Sequence, residues 1–104
     1  PVQASVLTIS EKFEDYAKEI YQTLKEAGIR VSLDLSNDKI GGKIRRAREQ
    51  KTPYMLIIGA KEAERHAVAV RTRKDKDLGA LPVAEFLARL KEEIRSRALP
   101  TYEE

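Results

Sequence analysis

A chain of 104 residues suffices for one domain around one core and leaves little room for a second. Apolar residues make up 41% and charged residues 36%, and no stretch approaches the roughly 18 consecutive apolar residues of a membrane span. Cysteine is absent, which excludes disulfides and thiolate metal sites and fits a reducing, cytoplasmic setting; the net charge of +3 gives a modest lean toward an anionic partner.

The first residues, Pro1 to Leu7, resemble neither a signal peptide nor an initiator start and read as a strand already under way, so the chain is expected to be a piece of a longer protein. Val2 to Ile9 is apolar and β-capable, and Ser10 reads as an N-cap. Phe13, Tyr16, Ala17, Ile20, Leu24 and Ala27 recur at three- and four-residue spacing, the stripe of a core-facing helix, with Gly28 at its left-handed C′ position. Ile29 to Leu35 alternates apolar and polar residues as a half-buried strand does. Asn37 or Asp38 is expected to cap a second helix that buries Ile40, Ile44 and Ala47.

Pro53 stops that helix and opens Tyr54 to Gly59, an uninterrupted run that suits a central strand covered on both faces. Ala60 to Arg65 reads as a polar link, Ala67 to Arg71 as an alternating strand, and Leu78 to Leu81 as a short edge strand. Pro82 opens a last helix with Val83, Phe86, Leu87, Leu90 and Ile94 as its apolar face. This order predicts an α/β fold: a mixed, mostly parallel five-stranded sheet in a three-layer α/β/α arrangement, forming a single domain over 1–104.

Enzyme chemistry is poorly provided for. The lone histidine, His66, sits at the mouth of a strand, where a surface or satisfied role is far commoner than a catalytic one. The serines carry no nucleophile motif, and no zinc ligand set is present. Asp75 and Asp77 alternate with Lys74 and Lys76 and read as neutralising their own loop. Gly41-Gly42-Lys43 lies near a helix start but matches no dinucleotide or P-loop spacing, so close packing against the sheet is favoured over phosphate binding.

Basic residues concentrate in mid-chain: six Lys/Arg against one acid from Lys39 to Lys51, and six against three from Lys61 to Lys76, whereas the tail Tyr102-Glu103-Glu104 is acidic. On the second helix Lys39, Lys43 and Arg46 fall on one flank of the apolar stripe and Arg45 and Arg48 on the other. A solvated face is the ordinary reading of such a helix; the second cluster, Arg71-Thr72-Arg73-Lys74, tilts it toward RNA. Arginine donates two parallel hydrogen bonds to guanine O6 and N7. A carboxylate can accept from the same base's N1–H and N2–H, so Arg71 and Glu62 can grip one guanine if they share a rim of the sheet. An ion pair between the two, across adjacent elements, is the reading that composition alone favours.

Ala27-Gly28-Ile29-Arg30-Val31, Asn37 to Arg45, Pro53-Tyr54-Met55-Leu56, Val68 to Arg73, Asp77-Leu78-Gly79 and Glu93 to Arg97 together resemble the C-terminal anticodon-binding domain of class II aminoacyl-tRNA synthetases. The looser frame is shared with the histidyl, prolyl and glycyl enzymes. The fuller phrases, Asn-x-Lys-Ile-Gly-x-Lys-Ile-Arg and Val-Arg-Thr-Arg with Asp-Leu-Gly, point to the threonyl branch. The resemblance implies recognition of threonine tRNA, whose anticodons share a middle guanine and a third-position uracil. It implies that Arg71 and Glu62 read the guanine, and that Asn37, Arg45 and Lys51 line the uracil and backbone. Lys51 departs from the family, which often has Arg there, and lysine cannot make the planar bidentate contact. Ser36, Lys39, Lys43 and Arg73 are further backbone candidates.

No catalytic residue, metal or cofactor is expected in this domain. The resemblance assigns ATP with Mg, Zn, and a homodimeric body to the parent ligase, and no membrane. A paralogous accessory module acting through protein contacts is the alternative function, and a small stand-alone enzyme a third.

Overall fold

The structure, a computed structural model, describes residues 2–96; Arg97 of the closing motif and the acidic tail lie outside the described residues. Strand β1 (Ala4–Thr8) leads through a 3-10 turn (Glu11–Phe13) into helix α1 (Glu14–Glu26). Then follow β2 (Val31–Asp34), α2 (Ile40–Glu49), β3 (Tyr54–Ile58), a short α3 (Ala60–Arg65), β4 (Ala67–Thr72), β5 (Asp77–Pro82) and α4 (Val83–Ser96). The five strands form one sheet in the order β2-β1-β3-β4-β5. β1 pairs in parallel with β2 and β3, while β4 and β5 add antiparallel.

Strand alternation divides the core into two layers. Ala4 and Val6 of β1, Tyr54, Leu56 and Ile58 of β3, and Val68 and Val70 of β4 face Ala17, Ile20 and Leu24 of α1 and Phe86 and Leu90 of α4. On the opposite face Leu7 and Met55 meet Ala47, with Ile40 and Ile44 of α2 packed against them. One face therefore carries two long helices and the other carries one.

Both α1 and α2 close with the same C-terminal hydrogen-bond pair. After α1, the amide of Ile29 donates to Leu24 O (3.0 Å) and that of Gly28 to Lys25 O (3.0 Å), with Gly28 at φ 87°. After α2, Thr52 N donates to Ala47 O (3.1 Å) and Lys51 N to Arg48 O (2.9 Å), so Lys51 takes the left-handed position at φ 60°.

Four expectations are corrected. The Ala60–Arg65 link is helical, as its run of good helix formers allows. Neither Asn37 nor Asp38 caps α2: Lys39 occupies the N-cap without a side-chain bond, because the Asp38 carboxylate is taken by Arg46. Pro82 ends β5 instead of lying in α4, whose first residue is Val83. Ile94 is 40% exposed, and Glu93 turns inward in its place, accepting from the Tyr54 hydroxyl at 2.8 Å.

Candidate nucleic-acid interface

α2 connects the far end of β2 to the start of β3, so it runs back across the sheet, and its two flanks meet different surroundings. The flank toward β1 and β2 is consumed internally. Lys43 is only 2% exposed, and its Nζ donates to both the carbonyl and the hydroxyl oxygen of Thr8 at 2.9 Å. This corrects the expectation that Lys43 contacts RNA: a desolvated ammonium with two such acceptors holds α2 to β1. Arg46 donates to Asp34 (2.7 Å), to Asp38 and to the Ser36 hydroxyl (2.8 Å). Burial alone would raise the Asp34 carboxyl. The hydrogen bonds from Arg46 and from the Ser36 amide and hydroxyl override it and hold Asp34 below the usual carboxylate range. Ser36 is thus engaged as well, while Lys39 remains exposed at the helix start.

The other flank is open. Gly41, Ile44, Arg45, Arg48 and Glu49 line a shallow depression of about 500 Å³. A methyl group built on Gly41 would meet nothing within 4 Å, and one on Gly42 only Asp38, at 3.8 Å. The glycine pair is therefore not a close-packing device, contrary to the sequence reading. Arg45 is exposed and has no side-chain hydrogen bond or ion pair among the described residues, and the same holds for Asn37 and Lys51. Asn37 stands before the first turn of α2 and Lys51 just past its last. The ten-residue helix puts about 15 Å between its two ends.

Arg71 belongs to this side of the sheet. It pairs directly with Met55, whose side chain packs under α2, and directly paired residues share a face. Its guanidinium is one-third exposed and lies 3.4 Å from the Asp75 carboxylate. Arg48 reaches the same loop from α2, donating to Arg73 O at 3.4 Å and lying 3.7 Å from the other Asp75 oxygen. Asp75 therefore serves two arginines, not the neighbouring Lys74 and Lys76 expected from the sequence. Arg73 is exposed beside it.

Glu62 stands elsewhere. Its Oε1 accepts from the Gly59 amide at 2.7 Å, holding the first turn of α3 just beyond the end of β3. Arg71 is level with Met55, four residues earlier along β3, a separation of about 13 Å at strand spacing. The two residues do not share one rim of the sheet, and neither is bonded to the other. A carboxylate so placed was legible in principle, as Glu at the third position of a short helix, but reading Ala60–Arg65 as a link hid it. His66, left-handed at φ 49°, closes α3 on the surface with its ring edge-on to Tyr16 at 6.2 Å between centroids.

Among the described residues no group of three or more His, Cys, Asp or Glu is placed to hold a metal ion, and no helix is long and apolar enough to cross a membrane. The open flank of α2 and the residues just before and after the helix offer exposed cationic and amide side chains, with no nucleophile–base pair among them.

The chain resembles known proteins over most of its length. The sequence profile described as "Anticodon binding domain" matches residues 3–93. A threonine–tRNA ligase of Clostridium botulinum (strain Langeland) is 52% identical over 97 residues, which are 93% of this chain and 15% of that protein. The ligase of Clostridium tetani is 53% identical over the same shares. The crystal structure of the RNA-binding domain of threonyl-tRNA synthetase from Cryptosporidium parvum superposes with a TM-score of 0.84 at 35% identity, covering 88% of this chain and 23% of that one. The chain thus spans about 15% of the length of the curated relatives it matches.

Proposed function

This chain belongs to the anticodon-binding domain family, and from that membership we propose that it reads the anticodon of threonine tRNA on behalf of a threonine–tRNA ligase. The choice of threonine tRNA rests on the Clostridium relatives. The place of reading rests on one observation: α2 commits Lys43 and Arg46 to the fold and leaves Arg45 uncommitted on its open flank, with Asn37 and Lys51 uncommitted before and after the helix.

Single-stranded loops suit such a strip, because their base edges are free and can be splayed onto it. About 15 Å is room for roughly four stacked nucleotides at ~3.4 Å each. Arg71 donates to O6 and N7 of the middle guanine, an acceptor pair that adenine and the pyrimidines do not present. Glu62 approaches from the opposite end of the strip. One of its oxygens holds Gly59, and the other is available to a neighbouring nucleotide, about 13 Å along β3 from the guanine contact of Arg71. Asn37, with both a donor and an acceptor, serves the uracil; Arg45, Lys51 and Arg73 neutralise phosphates, with Lys39 and Ser36 beside them. The domain itself performs no chemical step. Aminoacylation with ATP and Mg, a Zn site, dimerisation and a cytoplasmic setting are proposed for the whole ligase, of which this is the C-terminal domain.

The test is the affinity of the domain for a threonine-type anticodon stem-loop and for one with the middle guanine replaced. The parent domain should prefer the guanine loop, and Arg71→Ala should cut that preference by about 1–3 kcal/mol while the fold is retained. Equal binding of both loops by the parent domain overturns the reading.

A further inference from the structure

Asp75 has no place in the mechanism just given, yet it is the residue that the reading arginine touches. It occupies the turn between β4 and β5 at φ 67°, a conformation that costs most side chains energy and that Asp and Asn tolerate best. The turn is fixed by the Asp75 amide donating to Thr72 O (2.9 Å) and by the Lys76 amide donating to the Thr72 hydroxyl (3.1 Å). In that position one carboxylate oxygen faces Arg71 at 3.4 Å and the other faces Arg48 at 3.7 Å. Its side chain is half exposed. The neighbouring Asp77 is different: it pairs with Arg71 along the strands, but its carboxylate accepts from the Gly79 amide at 2.8 Å and forms no ion pair with an arginine among the described residues.

We infer that Asp75 is a specificity residue for the RNA contact, a built-in anion that occupies Arg71 and Arg48 in the free domain and must be displaced by the nucleotide that Arg71 reads. The inference rests on the anticodon reading proposed above and deepens it. A base that offers two acceptors repays the loss of the carboxylate, and a base that offers a donor there does not. With a wrong base, Arg71 stays on Asp75 and the loop is held by its remaining contacts. Asp75 therefore taxes only the complex in which Arg71 is used. Both pairs are exposed and longer than a good ion-paired hydrogen bond, so the tax is small enough for RNA to overcome.

The experiment compares Asp75→Asn with Asp77→Asn in binding to the guanine loop and to its middle-base variant, at low and at high salt. Asparagine keeps the left-handed turn at 75, and its amide oxygen still accepts from Gly79 at 77, so each variant removes one charge and keeps the loop. The expected result is that Asp75→Asn tightens the guanine loop about two- to fivefold more than Asp77→Asn does. The middle-base variant should gain no more from one substitution than from the other, and the difference should shrink at high salt as exposed pairs are screened. If the parent domain discriminates the two loops but Asp75→Asn behaves as Asp77→Asn or weakens binding, Asp75 is not a competitor and this inference fails alone. If the parent domain does not discriminate, the anticodon reading fails and takes this inference with it.

Discussion

Lys51 adopts a backbone conformation that glycine would adopt more cheaply. It fills the C′ position of α2 at φ 60°, where the equivalent place after α1 is held by Gly28 at φ 87°. A side chain there costs about 1 kcal/mol relative to glycine. Lys51→Gly is therefore expected to stabilise the domain by up to about 1 kcal/mol in urea unfolding, offset in part by the freer unfolded chain, while weakening RNA binding. A loss of stability would show that the lysine stem packs in a way that outweighs the strain. Tyr16 makes a second prediction. Its hydroxyl donates to Ala67 O at 2.7 Å, and its pKa is pushed up to about 12 by burial first and then by the charges of Glu19 and Glu62. The native state thus keeps the phenol proton to higher pH than the unfolded chain, whose tyrosine titrates near 10. The stability this provides is complete below pH 10 and is lost as pH rises through 12. Tyr16→Phe should cost about 1 kcal/mol at neutral pH and show a shallower alkaline decline than the parent. An unchanged decline would assign it to other groups.

Helix α2 shows what the sequence could and could not say about an element. Its apolar stripe, Ile40, Ile44 and Ala47, follows from 3.6-residue periodicity and is the stripe that packs on Leu7 and Met55. The split of its basic residues into two flanks was equally legible. Which flank meets β1 and β2 was not, because Lys43 finds Thr8 35 residues away and Arg48 finds Asp75 27 residues on, pairings that no local pattern encodes. The same limit hid the inward turn of Glu93 at the end of α4: its partner Tyr54 lies 39 residues earlier, and hydropathy alone favours Ile94. The division of the helix is testable. Lys43→Ala should destabilise the domain by about 1.5–3 kcal/mol, the range for a hydrogen-bonded charge, in thermal or urea unfolding. Arg45→Ala should leave stability within about 0.5 kcal/mol and act on RNA affinity instead. Equal effects of the two on stability would erase the distinction between a structural and an open flank.

At the scale of the whole molecule, α1 and α4 cover one face of the sheet, and α2 leaves the β4 side of the other open. Alternating strands and helices announced this α/β sandwich and its mixed sheet, and the sequence order of motifs announced the family. The register of β4 on β3 did not follow from sequence, and it is what separates Arg71 from Glu62. The candidate residues are accordingly distributed along a strip, with Asn37 and Glu62 toward the far ends of β2 and β3 and Lys51, Arg71 and Arg73 toward the start of β3. A strip of exposed cations binds through counterion release. Replacing Arg45 and Lys51 together by Ala should reduce the slope of log K against log salt by about 0.7 for each single-strand phosphate that is no longer neutralised. The most direct test of where RNA lies is amide chemical-shift mapping of the domain titrated with the guanine-containing anticodon stem-loop. The account predicts shifts along Asn37, Gly41, Arg45, Arg48, Lys51 and Ala69 to Arg73, with α1 and α4 silent; shifts confined to the α1 and α4 face would contradict it.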